Sequence, residues 1–164
     1  MNRLISLLIG LVLSGVQIAN AQAPCSMQLS HPALDFGAYS ADPWRAPLTF
    51  GPRRVQLQVQ CAEPQSLRLH FDAPSVDGQR YRFGAGSLQV QVLSAQVDGQ
   101  ASRWSSGPDG ADTLPSWRPG QPLQLVLPGR YLHLELEIEP TLDGHAAKVR
   151  DISLLRASGR FRLE

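Results

Sequence analysis

From Val55 to Cys61 the chain reads Val-Gln-Leu-Gln-Val-Gln-Cys, with an apolar residue at every second position and a glutamine between each pair. A period of two belongs to a β-strand with one face buried and the other in water. Val55, Leu57, Val59 and Cys61 are therefore predicted to face a core, and Gln56, Gln58 and Gln60 solvent. The same alternation recurs along the chain. Cys25, Met27 and Leu29 make a short inward face, Leu67, Leu69 and Phe71 another, and Leu88, Val90 and Val92 a third that runs on towards Val97. After Leu123, Leu125 and Leu127 comes the cleanest case, Leu132, Leu134, Leu136 and Ile138 set against Tyr131, His133, Glu135, Glu137 and Glu139. The chain closes on Leu155, Ala157, Gly159, Phe161 and Leu163 alternating with Arg156, Ser158, Arg160, Arg162 and Glu164, a strand expected to run to the last residue.

Turn signals separate these segments. Gly37 marks a bend in the short apolar run Leu34 to Tyr39, Asp42 to Pro52 reads as a loop, and Ala62 to Gln65 reads as a turn. Asp77-Gly78, Asp98-Gly99 and Asp143-Gly144 are turn dipeptides. Asp98 to Pro122 is the longest irregular stretch and holds Trp104 and Trp117. No helical period of useful length appears after the N-terminal stretch, so eight or so short strands argue an all-β sandwich.

Composition changes this picture in one respect, the compartment. Asn2-Arg3, the mostly apolar Leu4 to Ile18 and the small-x-small Ala19-Asn20-Ala21 have the layout of a secretory signal peptide. Cleavage after Ala21 divides the chain into a signal (1–21) and a mature part (22–164) of about 143 residues, enough for one domain. In an oxidising compartment the two cysteines, Cys25 and Cys61, are most simply a disulfide. Lys+Arg number 15 against 14 Asp+Glu, so no global field selects nucleic acid or a membrane surface. The four histidines are scattered without ligand spacing, and His70 falls on the polar face of its strand, where a solvated side chain is expected. His133, Glu135, Glu137 and Glu139 share one strand face and read as a solvated edge, not as a metal site. Neither metal nor cofactor is expected. No nucleophile elbow, catalytic triad or phosphate-binding loop can be assembled, which argues against an enzyme.

Cys25-x-Met27-x-Leu29, Leu34-Asp35-Phe36-Gly37, Val55-x-Leu57-x-Val59-x-Cys61 and the closing Ala157-Ser158-Gly159-Arg160-Phe161-Arg162-Leu163-Glu164 together resemble the fimbrial subunits of chaperone–usher pili. The resemblance implies an incomplete immunoglobulin-like β-sandwich, the pilin fold, whose missing last strand leaves a groove beside the terminal strand. In that family a periplasmic chaperone fills the groove first and the next subunit replaces it, at an outer-membrane usher. Here the face offered would come from Ala157, Gly159, Phe161 and Leu163, with Glu164 available to basic chaperone residues. The chain departs from the family in having Leu163 where tyrosine is frequent and Asp151 where glycine is frequent. Cleavage after Ala21 would leave only Gln22-Ala23-Pro24 before the first cysteine, too little for a donor strand, so a tip position is expected. An adhesive tip would use Trp104 and Trp117 as contacts for a host or surface glycan or protein receptor; otherwise they cover the ends of the core. The alternative is a self-contained periplasmic or secreted β-sandwich binding module. No nucleic acid partner is expected, and the pilus reading places the protein at the cell surface.

Overall fold

The computed structural model describes residues 25–38, 47–106, 116–142 and 155–164. The signal stretch, Trp44 and Asp151 lie outside the described residues. Eleven strands are seen among them: β1 (Cys25–Leu29), β2 (Leu48–Thr49), β3 (Arg53–Gln65), β4 (Arg68–Asp72), β5 (Tyr81–Phe83), β6 (Gly86–Val97), β7 (Gln100–Ala101), β8 (Trp104–Ser106), β9 (Leu123–Leu125), β10 (Gly129–Leu142) and β11 (Arg160–Leu163). They form two antiparallel sheets. The first runs β1-β3-β10-β6-β5, with β2 added to β10 and β7 to β6; the second runs β11-β4-β9-β8. The all-β sandwich expected from the alternating pattern is thus the observed architecture, with one disulfide, Cys25–Cys61.

The alternation decides which side of each sheet is core. Val55, Leu57, Val59 and Cys61 of β3 are buried, as are Leu132, Leu134 and Leu136 of β10, while the glutamines between the former are exposed. Leu67, Leu69, Leu123 and Leu125 close the core from the second sheet. On β6 the inward set changes parity, from Leu88, Val90 and Val92 to Ala95 and Val97. The register explains it: Glu135 faces Ser94 and Leu136 faces Val92, leaving Leu93 as the extra residue of a β-bulge, half-exposed. One additional residue flips every later side chain, and the bulge restores the inward face.

Asp98 and Gly99 turn the chain between β6 and β7 with both φ angles positive, 49° and 78°, the geometry of a type I′ hairpin. The Asp98 carboxylate accepts the backbone N–H groups of Arg130 (3.1 Å) and Tyr131 (2.8 Å), tying this turn to the start of β10. The turn expected at Ala62 to Gln65 is instead the end of β3, which continues to Gln65 opposite Gly129. Pairing is irregular there, with Gln60 facing Tyr131 and Gln65 facing Gly129, so Pro64 sits where no ladder bond is asked of it. The terminal strand is shorter than the alternation from Leu155 implies: residues 155–159 belong to no strand, though the Arg156 carbonyl accepts the Gly84 N–H at 3.1 Å, and β11 begins at Arg160.

The disulfide joins directly opposed residues of neighbouring strands, Cys25 on β1 and Cys61 on β3, with Cα atoms 4.1 Å apart. It therefore clamps an edge strand to its own sheet and does not bridge the two sheets. The side-chain amide of Gln65 donates to both sulfurs. A bridge across 36 positions should contribute about 4 kcal/mol by restricting the unfolded chain. Replacing both cysteines by serine is expected to lower the free energy of unfolding in urea by about that amount, with β1 losing amide-exchange protection ahead of β3 and β10.

Candidate functional site: the open side of the sandwich

Two sheet edges lack a neighbour among the described residues on the same side of the molecule. β1 pairs only with β3, and β11 pairs only with β4, whose other edge is taken by β9. The two edges converge on the turn between β3 and β4: the Glu164 backbone N–H donates to the Arg68 carbonyl at 2.9 Å, and Cys25 lies under the Gln65 amide.

The inward faces of these edges are the ones left uncovered. Met27 lies opposite Val59, which lies opposite Leu132, and both of those are buried, yet Met27 is 36% exposed. Its neighbours on the same face, Cys25 and Leu29, are half-buried, as are Phe161 and Leu163 of β11. An inward apolar row that stays wet on one side of the sandwich only is a cleft with an apolar floor, and an uncovered edge with such a floor is a template for another strand.

Aromatic packing seats β11. Phe161 stacks on its register partner Phe71 with ring centroids 4.6 Å apart and meets Trp117 at 5.8 Å. Tyr81 packs edge-on against the other side of Phe71 at 4.9 Å; burial, with Asp72 nearby, pushes its phenol far above the usual range, so it stays neutral. Gly159 precedes the strand where a Cβ would collide with the Phe71 ring, so the close approach of chain to ring requires glycine.

The outward face of β11 is held by charge. Arg162 Nε lies 3.2 Å from Asp72, and the Glu164 carboxylate lies 2.8 Å from His70 Nε2 and 3.7 Å from Arg68. His70 does lie on the polar side of its strand, but its side chain is only 18% exposed and is partnered, which corrects the expectation of a solvated imidazole. The hydrogen bond from His70, reinforced by Arg68 and Arg162, holds the Glu164 carboxyl below its ordinary value of 4.5.

Of the residues predicted to form the groove face, Phe161 and Leu163 are half-buried at the cleft, while Ala157 and Gly159 are exposed ahead of the strand. Glu164 is engaged by side chains of its own sheet. Met27, Leu29 and the Phe71–Trp117 floor were not assigned to the cleft by sequence; the parity of Met27 was visible, but which strand would be left without cover was not. Trp117 is 1% exposed. Its backbone N–H donates to Val90 and its ring N–H to Gln121, both carbonyls of this chain, so it is core and out of reach of a receptor. Trp104 is half-buried against the same core. Trp117 belongs to the core cluster and Trp104 packs against it.

Neither a family model nor a curated protein matches this chain. Among solved structures it is similar to the P pilus rod subunit PapA, at 15% identity and a TM-score of 0.49, with 91% of this chain and 97% of that one covered. It is also similar to a chaperone–usher pilus structure solved for the molecular basis of rod uncoiling, at 15% identity and a TM-score of 0.46, with 99% of each chain covered.

A carboxylate with a depressed folded-state pKa contributes stability that is present above its unfolded value and is lost as pH falls through the folded one. The hold of Glu164 on His70 and Arg68 should therefore be complete above about pH 4.5 and fade below it. Protection factors of the β11 amides, that is, exchange rates referred to the intrinsic rate at each pH, are expected to fall across that acid range in the parent chain. With Glu164→Gln, exchange should be faster at neutral pH and lose this acid-side dependence.

Proposed function

We infer that this chain is a structural subunit of a chaperone–usher pilus that takes a donor β-strand from a partner into the cleft between β11 and β1. The observation that carries this reading is Met27, inward-facing beside the buried Val59 and Leu132 and still 36% exposed at an edge that has no further strand among the described residues. A strand laid along β11 would satisfy that edge with main-chain hydrogen bonds. Its alternate side chains would cover Met27, Leu29, Phe161 and Leu163, the mode in which backbone bonds give affinity and pockets give specificity. The partners implied are a periplasmic chaperone, then a neighbouring subunit delivered at the outer-membrane usher, on a route through the periplasm to the cell surface. Binding, not catalysis, is the chemistry such a cleft supports.

The position we propose within the fibre is the tip. It rests on cleavage after Ala21, which leaves Gln22-Ala23-Pro24 ahead of Cys25, a segment too short to complete another subunit. Sequencing the N-terminus of the exported protein is expected to read Gln-Ala-Pro-Cys; a start near Val16 or earlier would supply donor length and remove the tip assignment.

Co-expression with a chaperone–usher pair provides the main test. A stable one-to-one complex with the chaperone is expected, together with aggregation or degradation of the chain exported alone. Met27→Glu, which would bury an unpaired charge under the incoming strand, should cut complex yield by about tenfold or more. Gln28→Glu, on the opposite face of β1, should leave it unchanged. A soluble monomer that unfolds reversibly with no partner would instead identify a self-contained binding module.

A further inference from the structure

Methionine occurs at two positions, Met1 and Met27. Met1 opens the stretch that has the layout of a signal peptide, so a chain cleaved after Ala21 keeps Met27 alone. Its two cysteines are already joined. Met27 is then the one sulfur of that chain still open to oxidation by a peroxide.

Its place in the sheet leaves it within reach of solvent. Val59 opposite it is 1% exposed and Leu132 beyond Val59 is 2% exposed, whereas Met27, on the same inward face, is 36% exposed. Among the described residues no strand lies beyond β1 to cover it. Oxidation of a thioether follows accessibility, and it converts a flexible apolar side chain into a polar, chiral one. The described tryptophans are better shielded, Trp117 in the core and Trp104 half-buried against it.

We propose that Met27 is a redox-modification site, and that its oxidation to the sulfoxide by a hydroperoxide bars an incoming strand from the cleft; the inference rests on the strand-accepting reading of that cleft. The step is a two-electron oxygen transfer. A sulfur lone pair attacks one peroxide oxygen, the S–O bond forms as the O–O bond breaks, and the displaced hydroxide takes the proton of the transferred OH and leaves as water. Sulfur is oxidised and the peroxide is reduced, with no further reactant. In the empty cleft the new oxygen turns towards water, and β1 stays in place because the disulfide holds it. Under a seated strand the same oxygen is enclosed by Leu29, Val59, Phe161 and Leu163, none of which has a side-chain donor to offer. The Gln65 amide, at the end of the row, is already given to the sulfurs of Cys25 and Cys61. A polar group buried without a hydrogen bond opposes the association that buries it. The modification therefore acts on acceptance and not on the fold of the subunit. A seated strand covers Met27 in turn, so only the waiting subunit is open to oxidation. Methionine sulfoxide reductases restore the thioether, one enzyme for each epimer.

The test starts from the chain co-purified with its chaperone. The chain is separated in denaturant, partly oxidised with hydrogen peroxide, freed of oxidant with catalase and diluted into fresh chaperone, and peptide masses then report sulfoxide at Met27 in the complex and in the fraction left out of it. Depletion of the sulfoxide from the complex by about tenfold or more is expected, the scale of a polar group buried without a partner. Within the intact complex Met27 should react with peroxide about tenfold or more slowly than in the denatured chain, as its burial under the strand requires. Met27→Gln, which puts a polar side chain there without any oxidant, should lower the yield of complex. In Met27→Leu, whatever its own yield, peroxide treatment should change nothing. Equal sulfoxide content in the bound and unbound fractions, equal reactivity of Met27 in the complex and in denaturant, or a peroxide-sensitive yield in Met27→Leu would overturn the assignment. Untreated chain that forms no complex at all would remove strand acceptance and this proposal together; a complex that forms and is indifferent to oxidation would remove this proposal alone.

Discussion

An edge strand of five residues whose inward face is covered on one side only has little to hold it on its sheet, and the Cys25–Cys61 bridge is what does so here. Met27 gains only part of the burial that its register partner Val59 enjoys, so β1 contributes less hydrophobic stabilisation than its pattern implies. A covalent link between opposed residues removes the need for that contribution. It fixes β1 beside β3 in the register that sends Met27 and Leu29 towards the cleft and Gln28 to the outer face of the sheet. The cleft is therefore built on this clamp.

The terminal strand faces the same problem and solves it without a disulfide. β11 has four residues and, among the described residues, one neighbour, and it is seated by Phe161 on Phe71 from within and by Arg162–Asp72 and Glu164–His70 from outside. Exposed ion pairs contribute little individually, so the aromatic stack stabilises the strand more and the charged row chiefly sets register. A strand held this way is firm enough to present an edge. Among the described residues no strand takes its far side, and its inward residues Phe161 and Leu163 stay half-buried there.

Most of the fold was legible because the alternation is strict. In β3, and in β10 from Leu132 to Leu136, the buried residues could be read from period two alone, although β10 runs on through the buried Pro140 and Leu142, past the alternation that was read as ending at Ile138; Asp98-Gly99 announced the hairpin it makes. Three features were hidden for physical reasons. The β6 bulge shows in sequence only as a parity slip between Val92 and Ala95, which acquires meaning once β10 is known to be its partner. His70 looked solvated because nothing local reveals that Glu164, 94 positions away, will lie beside it. Trp117 looked like loop because it sits among prolines and glycines, yet a single pairing of Ser116 with Gln91 carries it into the core. Burial in each case is settled by partners distant in sequence, and a pattern confined to one segment does not contain them.

The same reasoning explains why the cleft was half seen. Phe161 and Leu163 were named by the resemblance to fimbrial subunits and read as inward from their alternation, but Met27 has the same parity as the fully covered Leu57 and Val59, and nothing in its segment distinguishes it from them. What separates it is topology: among the described residues β3 has strands on both sides and β1 on one. Edge position turns an ordinary inward methionine into exposed floor, while the outward glutamine beside it stays on the solvent face of the sheet. Because successive side chains of a strand point to opposite faces, β1 gives its inward residues to the cleft and its glutamine to the outer face. A strand entering the cleft would bury Met27 and pin β1 from one side, leaving the amides on its other side where they already stand.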